Sequence, residues 1–139
     1  MFRVQNLNNM ENLFVPNEIL VAFKEHYPFV SLDSVTWSWE VPGKIYEAEF
    51  ELDGIEHEVE FTVTAEWLLT ETEVDLDEVP EIIRNDVAAR YPEFKIDETS
   101  QVEYSNGLIH YELAIEKDGI GFDVQYREDG MFFMSGEDL

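Results

Sequence analysis

Six glutamates at alternate positions, Glu47, Glu49 and Glu51 before Asp53-Gly54 and Glu56, Glu58 and Glu60 after it, are the residues in this chain whose spacing best suits chemistry. Asp-Gly is a favoured pair for a two-residue type I′ hairpin turn. With that turn Leu52 faces Ile55, and counting outward sets Glu51 opposite Glu56, Glu49 opposite Glu58 and Glu47 opposite Glu60. Directly opposed like charges destabilise a solvated sheet by up to about 1 kcal/mol a pair, so selection for stability alone would not choose them. Such a patch suits docking of a basic protein or peptide. It also offers oxygen ligands to a hard cation such as Ca2+, with Glu49 and Glu58 as candidate ligands. The plain alternative is a solvated outer face on an acidic protein.

Acid and base catalysis needs something different, a pair of carboxyl groups whose environments push their pKa values apart. Alternating glutamates on a polar face are the opposite case. His57 falls opposite Phe50 on the apolar face and reads as a core histidine, His110 lies on the face opposite to Tyr111, and His26 reads as a helix cap or surface residue. No Ser-His-Asp order, nucleophile elbow, phosphate-binding glycine loop or His-rich metal spacing occurs. Asp75-Leu76-Asp77 lacks the rest of a Ca2+-binding helix-loop-helix motif. With no cysteine, thiolate chemistry and disulfides are excluded as well. The expectation is a chain that is not an enzyme and needs no cofactor. The alternatives are a Ca2+-binding protein and a small hydrolase, the latter requiring a deep pocket around a carboxylate of raised pKa.

Aromatic residues supply a second candidate surface. If Thr64-Ala65 is a tight turn, Trp67 falls opposite Thr62 and points away from the face bearing Phe61 and Val63; by the same count Phe132 lies opposite Arg127. Large aromatics on an outer sheet face are typical anchors for a protein partner. A change of one residue in either turn would return them to the core. Trp37 and Trp39 point together and read as core.

The elements that position these residues follow from periodicity. Pro16-Asn17-Glu18-Ile19 running to Tyr27-Pro28 recurs 64 positions later as Pro80-Glu81-Ile82-Ile83 running to Tyr91-Pro92, and Asp53-Gly54-Ile55 recurs as Asp118-Gly119-Ile120. Ile19, Phe23 and Tyr27, and again Ile83, Val87 and Tyr91, lie four apart and define two amphipathic helices with acidic first turns and basic last turns. After each helix the period falls to two. Strands are expected over Ser34–Glu40, Ile45–Asp53, Ile55–Thr64 and about Glu66–Thr72, and later over Tyr111–Lys117, Ile120–Arg127 and Met131–Ser135. The expected fold class is therefore α+β, with two tandem units, each one helix followed by a four-stranded antiparallel sheet, the helices packed on one face. The expected layout is an N-terminal arm over 1–15, whose Leu13, Phe14 and Val15 tuck against the core, and a single domain over 16–139, divided into 16–78 and 79–139. The second copy lacks the patch, because the same register sets Glu116 opposite Gly121, Ala114 opposite Asp123 and Glu112 opposite Gln125.

Composition sets the limits. The 139 residues are 45% hydrophobic and 14% aromatic, enough for a packed core. Lys plus Arg total 8 against 32 Asp plus Glu, a net charge of −24 that repels phosphate backbones and anionic lipid headgroups. Nucleic acid and membrane surfaces are accordingly not expected as partners. No run approaches a membrane span, and Met1 to Asn9 lacks the apolar stretch of a signal peptide, so the chain as written is expected to stay where it is made, or to be periplasmic or secreted if a leader was removed.

The proline-led helix ending in Tyr-Pro, the Trp-bearing strand, the Tyr-led strand, Asp-Gly and a further hairpin resemble the PepSY-like, β-lactamase-inhibitor-protein-like domains over residues 16–139. The resemblance implies a small α+β protein of bacterial type, often exported, acting as a binding or inhibitory module through its sheet without chemistry of its own. Its motifs are turn and core residues and transfer no functional residue. This chain also lacks the cysteines that form the disulfides of the namesake inhibitors.

Overall fold

Two short helices, α1 (Asn17–His26) and α2 (Glu81–Arg90), carry their apolar residues one turn apart, and that spacing fixes what they bury. Pro16 and Pro80 stand at the N-cap positions, and their carbonyls accept the first helical N–H groups, Ile19 at 3.1 Å and Ile83 at 3.0 Å. Tyr27 and Tyr91 close the helices ahead of a segment that cannot continue them. The computed structural model describes residues 13–137, so most of the expected arm lies outside the described residues. Leu13 and Val15 do pack against the core, whereas Phe14 is exposed.

Eight strands follow the period-two segments: β1 (Thr36–Val41), β2 (Ile45–Leu52), β3 (Ile55–Thr62), β4 (Trp67–Glu73), β5 (Lys95–Tyr104), β6 (Ile109–Lys117), β7 (Ile120–Arg127) and β8 (Phe132–Glu137). They form one sheet in the order β1-β2-β3-β4-β5-β6-β7-β8. This corrects the expectation of two tandem units, each with its own four-stranded sheet. Beside β4 and β5 the Val74 N–H donates to the Thr99 carbonyl at 3.0 Å and the Ser105 N–H to the Leu68 carbonyl at 2.9 Å. Two separate sheets would leave β4 and β5 as edges with rows of unpaired N–H and C=O groups, and joining them satisfies both. The repetition in the sequence is therefore not matched by two separate sheets.

The chain forms two compact units, one reaching to Glu71 and including Tyr104–Asn106, the other made of Thr72–Glu103 and the residues from Gly107 onward. In the first, Ile19 and Phe23 of α1 pack on Tyr46, Ala48, Phe50, Val59 and Phe61. In the second, Ile83 and Val87 of α2 pack with Val79 on Tyr111, Leu113, Ile115, Val124 and Tyr126. Tyr126 is fully buried, and its hydroxyl donates to the Asp86 carboxylate at 2.6 Å. Arg90, one helical turn on, holds the same oxygen at 3.0 Å. The hydroxyl and the guanidinium together keep the Asp86 carboxyl below the usual carboxylate range. The loop before β8 is held close to α2. Gly130 has φ +95°, and a Cβ there would meet Ile82 Cγ2 at 2.8 Å, so only glycine fits without a shift.

Candidate functional site

The hairpin of β2 and β3 is set by its corner. Asp53 (φ 54°) and Gly54 (φ 79°) both take positive φ, as a type I′ turn requires. Leu52 consequently faces Ile55, and Glu51↔Glu56, Glu49↔Glu58 and Glu47↔Glu60 stand opposite one another. Tyr46, Ala48 and Phe50 alternate with them and point to α1, so the glutamates occupy the helix-free face.

That face is graded rather than uniformly solvated. Glu51 and Glu56, nearest the turn, are exposed; Glu49 and Glu58 are half-buried; Glu47 and Glu60 keep only 5% and 6% of their surface. This changes the expectation of six outward carboxylates, because Glu47 and Glu60 are shielded and only the outer four present themselves to a partner. Carboxylate oxygens of Glu47, Glu49 and Glu58 lie within 4.8 Å of one another, as do those of Glu40, Glu47 and Glu60. Charges this close repel strongly where water is scarce. Glu49 responds by binding a proton more tightly than a free carboxylate. Desolvation, a hydrogen bond with Glu56 and the charges of Glu56 and Glu58 raise its pKa to about 7.

A carboxyl group of raised pKa makes the folded state bind more protons than the unfolded chain, so its contribution to stability is complete at acidic pH and is lost as pH rises through about 7. Urea unfolding midpoints are expected to fall on crossing that pH from below. In Glu49→Gln, which keeps a donor toward Glu56, the fall should shrink; an unchanged pH profile would contradict the shared proton.

The aromatic candidates lie elsewhere than expected. The Thr62 N–H donates to the Glu66 carbonyl at 2.9 Å and Ala65 has φ 68°, so the loop holds three residues, Val63, Thr64 and Ala65, rather than two. The extra residue turns Trp67 over to the α1 side, where it packs against the core, lies 4.9 Å from the His26 ring and donates from Nε1 to Thr70 Oγ1 at 3.0 Å. Phe132 is reversed in the same way. The Arg127 N–H bonds to the Met131 carbonyl, placing Phe132 opposite Tyr126, with its ring 5.4 Å from Tyr126 and beneath the Arg90 guanidinium at 4.2 Å. Trp67 and Phe132 are therefore packing residues, not outward anchors. Trp67→Ala is expected to lower the unfolding free energy by about 2 kcal/mol or more, a sum of lost burial and the lost hydrogen bond to Thr70, which keeps only the longer one from the Tyr27 hydroxyl at 3.4 Å; chemical denaturation reads the change.

The remaining candidates fall where the alternation puts them. Trp37 and Trp39 pack on the α1 side, Trp39 stacked on Tyr46 at 4.2 Å. His57 stacks on Phe50 at 5.3 Å and its Nδ1 is 2.9 Å from the Ile55 carbonyl. His26 is exposed at the end of α1. His110 is buried on the helix-free side of its own unit, with Nδ1 2.7 Å from Gln125 Oε1. Asp75, Asp77 and Glu78 form an exposed carboxylate cluster around a short 3-10 turn, closed by a capping box. The Asp86–Tyr126–Arg90 network was not singled out by sequence reasoning; the four-residue spacing of Asp86 and Arg90 is its visible signal. A cleft of about 240 Å³ between Val74, Leu76, Ile96 and their acidic neighbours, and one of about 320 Å³ along α1 beside Leu20, Val21 and Leu32, are not lined by Glu49. No helix among the described residues is long and apolar enough to cross a membrane.

Residues 44–134 match the family described as "Putative beta-lactamase-inhibitor-like, PepSY-like". Among solved structures, a DUF2874 family protein from Bacteroides uniformis is 21% identical with a TM-score of 0.76, covering 89% of this chain and 90% of that one. A protein from Bacteroides eggerthii, one of the "putative periplasmic proteins", is 23% identical with a TM-score of 0.77 and 89% coverage of both chains. A BLIP-like protein from Bacteroides fragilis is 26% identical with a TM-score of 0.68, covering 91% of this chain and 89% of that one. No curated protein matches the sequence.

Proposed function

The chain belongs to the PepSY-like, beta-lactamase-inhibitor-like family, and from that premise we propose that it is a non-catalytic module that binds a protein or peptide through the helix-free face of its β2–β3 hairpin. The partner presents lysine or arginine side chains to Glu49, Glu51, Glu56 and Glu58. The observation that carries this reading is the gradient along that face, with two exposed carboxylates at the tip, two half-buried ones behind them and a buried pair beneath. Repulsion within it is relieved when cations enter, so partner binding recovers a cost already built into the free protein. Inhibition of a partner enzyme and a periplasmic site of action belong to the same reading, supported by the BLIP-like and periplasmic relatives.

The test is capture from the native cell with the protein immobilised, in parallel with a Glu51→Gln, Glu56→Gln variant. One basic protein held by the parent at low salt and released from the variant is the expected result. An identical set of proteins on both, insensitive to salt, would remove the proposal. A Ca2+ titration serves as the control for the cation-binding alternative: a rise in melting temperature near millimolar metal that Glu49→Gln abolishes would favour that alternative instead.

A further inference from the structure

We propose that the outer edge of β8 accepts an extended basic peptide as an added antiparallel strand. This surface is distinct from the carboxylate hairpin and does not depend on it.

Which β8 groups point outward follows from the turns. Asp118 and Gly119 both take positive φ, and Lys117 faces Ile120, so that pair closes the β6–β7 hairpin as a bonded pair. Bonded and non-bonded pairs alternate. Phe122, Val124 and Tyr126 therefore spend their backbone groups on β6, leaving Asp123, Gln125 and Arg127 to bond β8. The Arg127–Met131 hydrogen bond of 2.9 Å agrees with this count. Met134, opposite Gln125, and Gly136, opposite Asp123, are thus tied to β7, while the N–H and C=O of Ser135 face away from the sheet.

Edge strands are usually blunted by charge, proline or irregularity. At the opposite edge β1 is broken by a bulge between Trp39 and Val41 and followed by Pro42. β8 has its bulge early, opposite Gln125 and Tyr126, and then runs Met134-Ser135-Gly136 without a basic residue or proline. Beside that run Met131, Phe133 and Met134 keep 57%, 47% and 49% of their surface exposed. Methionine and phenylalanine are suited to adaptable contacts with apolar side chains of an incoming strand.

The charge of the occupant follows from the surroundings. Glu128 lies in the loop before β8 and Asp123 stands opposite Gly136. The nearby cations are already engaged, Arg127 with Asp129 and Arg90 with Asp86, each at 3.0 Å. A second copy of this chain would bring another −24 to the contact, whereas a lysine-bearing strand is attracted.

The probe is an end-capped decapeptide of alternating lysine and valine, with amide hydrogen exchange as the readout. The expected result is slowed exchange at Ser135 and its neighbours in β8, with affinity reduced about tenfold or more in Ser135→Pro, which removes the outward donor and spares the bonds to β7. The protection should survive in the Glu51→Gln, Glu56→Gln variant, which separates this surface from the hairpin. Should Ser135→Pro fold poorly, the same peptide N-methylated at alternate residues replaces it and is expected to lose binding. Full binding of the methylated peptide, protection confined to other strands, or protection of β8 by self-association in the absence of peptide would each overturn the proposal.

Discussion

Phe23→Ala is expected to remove about 3–5 kcal/mol of stability, the range for deleting a buried aromatic ring. Phe23 is fully buried on α1, and four rings surround it: Tyr27 at 5.6 Å, Trp37 at 5.7 Å, Phe50 at 5.3 Å and Phe61 at 6.5 Å. Three of these contacts are edge-to-face, a geometry that adds to the burial term. Truncation leaves a cavity that β2 and β3 cannot close without breaking their register, because the pairs beneath the ring, Tyr46 with Phe61, Ala48 with Val59 and Phe50 with His57, are fixed by the hairpin. With domain stabilities of roughly 5–15 kcal/mol, the loss is a large share of the whole. Urea unfolding should show the midpoint displaced with a similar slope. Phe29→Ala is the matched control: that ring is 95% exposed, and its removal should change stability by less than about 0.5 kcal/mol.

Neutralising the four accessible glutamates, Glu49→Gln, Glu51→Gln, Glu56→Gln and Glu58→Gln together, is expected to slow association with a basic partner by roughly 10- to 1000-fold at low salt. The field of a clustered patch raises the local concentration of cations and orients the encounter, and the overall charge of −24 reinforces it. The difference between parent and variant should narrow as salt rises, since exposed charges are screened beyond about 10 Å at about 0.1 M. The folded state itself should gain stability, above all above about pH 7, where Glu49 loses its proton. Slower binding together with firmer folding would mark the cluster as functional. Slower binding with weaker folding would show that the glutamates are structural.

The sequence made some of this legible through turn chemistry. Asp53-Gly54 dictated the register of β2 and β3 to the residue, and with it the three opposed glutamate pairs. The helices were legible because Ile19, Phe23, Ile83 and Val87 keep a helical spacing and the flanking prolines mark both ends. Trp67 and Phe132 were misplaced because both depend on loop length, and loops of two and three residues share the same turn residues while sending the next side chain to opposite faces. β5 escaped definition in Lys95–Tyr104 because a register shift between Ile96 and Glu98 interrupts its alternation. The joining of β4 to β5 into one sheet has no local signal, since it arises between segments separated by α2. The burial of Glu47 and Glu60 was hidden for a related reason: period-two patterning assigns a face but not how much water reaches it.

Binding of basic chains at the carboxylate hairpin can be read residue by residue from a nuclear magnetic resonance titration of isotope-labelled protein with an oligolysine peptide. Saturable amide shifts are expected, concentrated at Glu49, Glu51, Glu56 and Glu58 and weakening with salt and with falling pH below about 7 as Glu49 takes up its proton. Shifts spread evenly over the acidic surface, or centred on the cleft beside Val21 and Leu32, would contradict it.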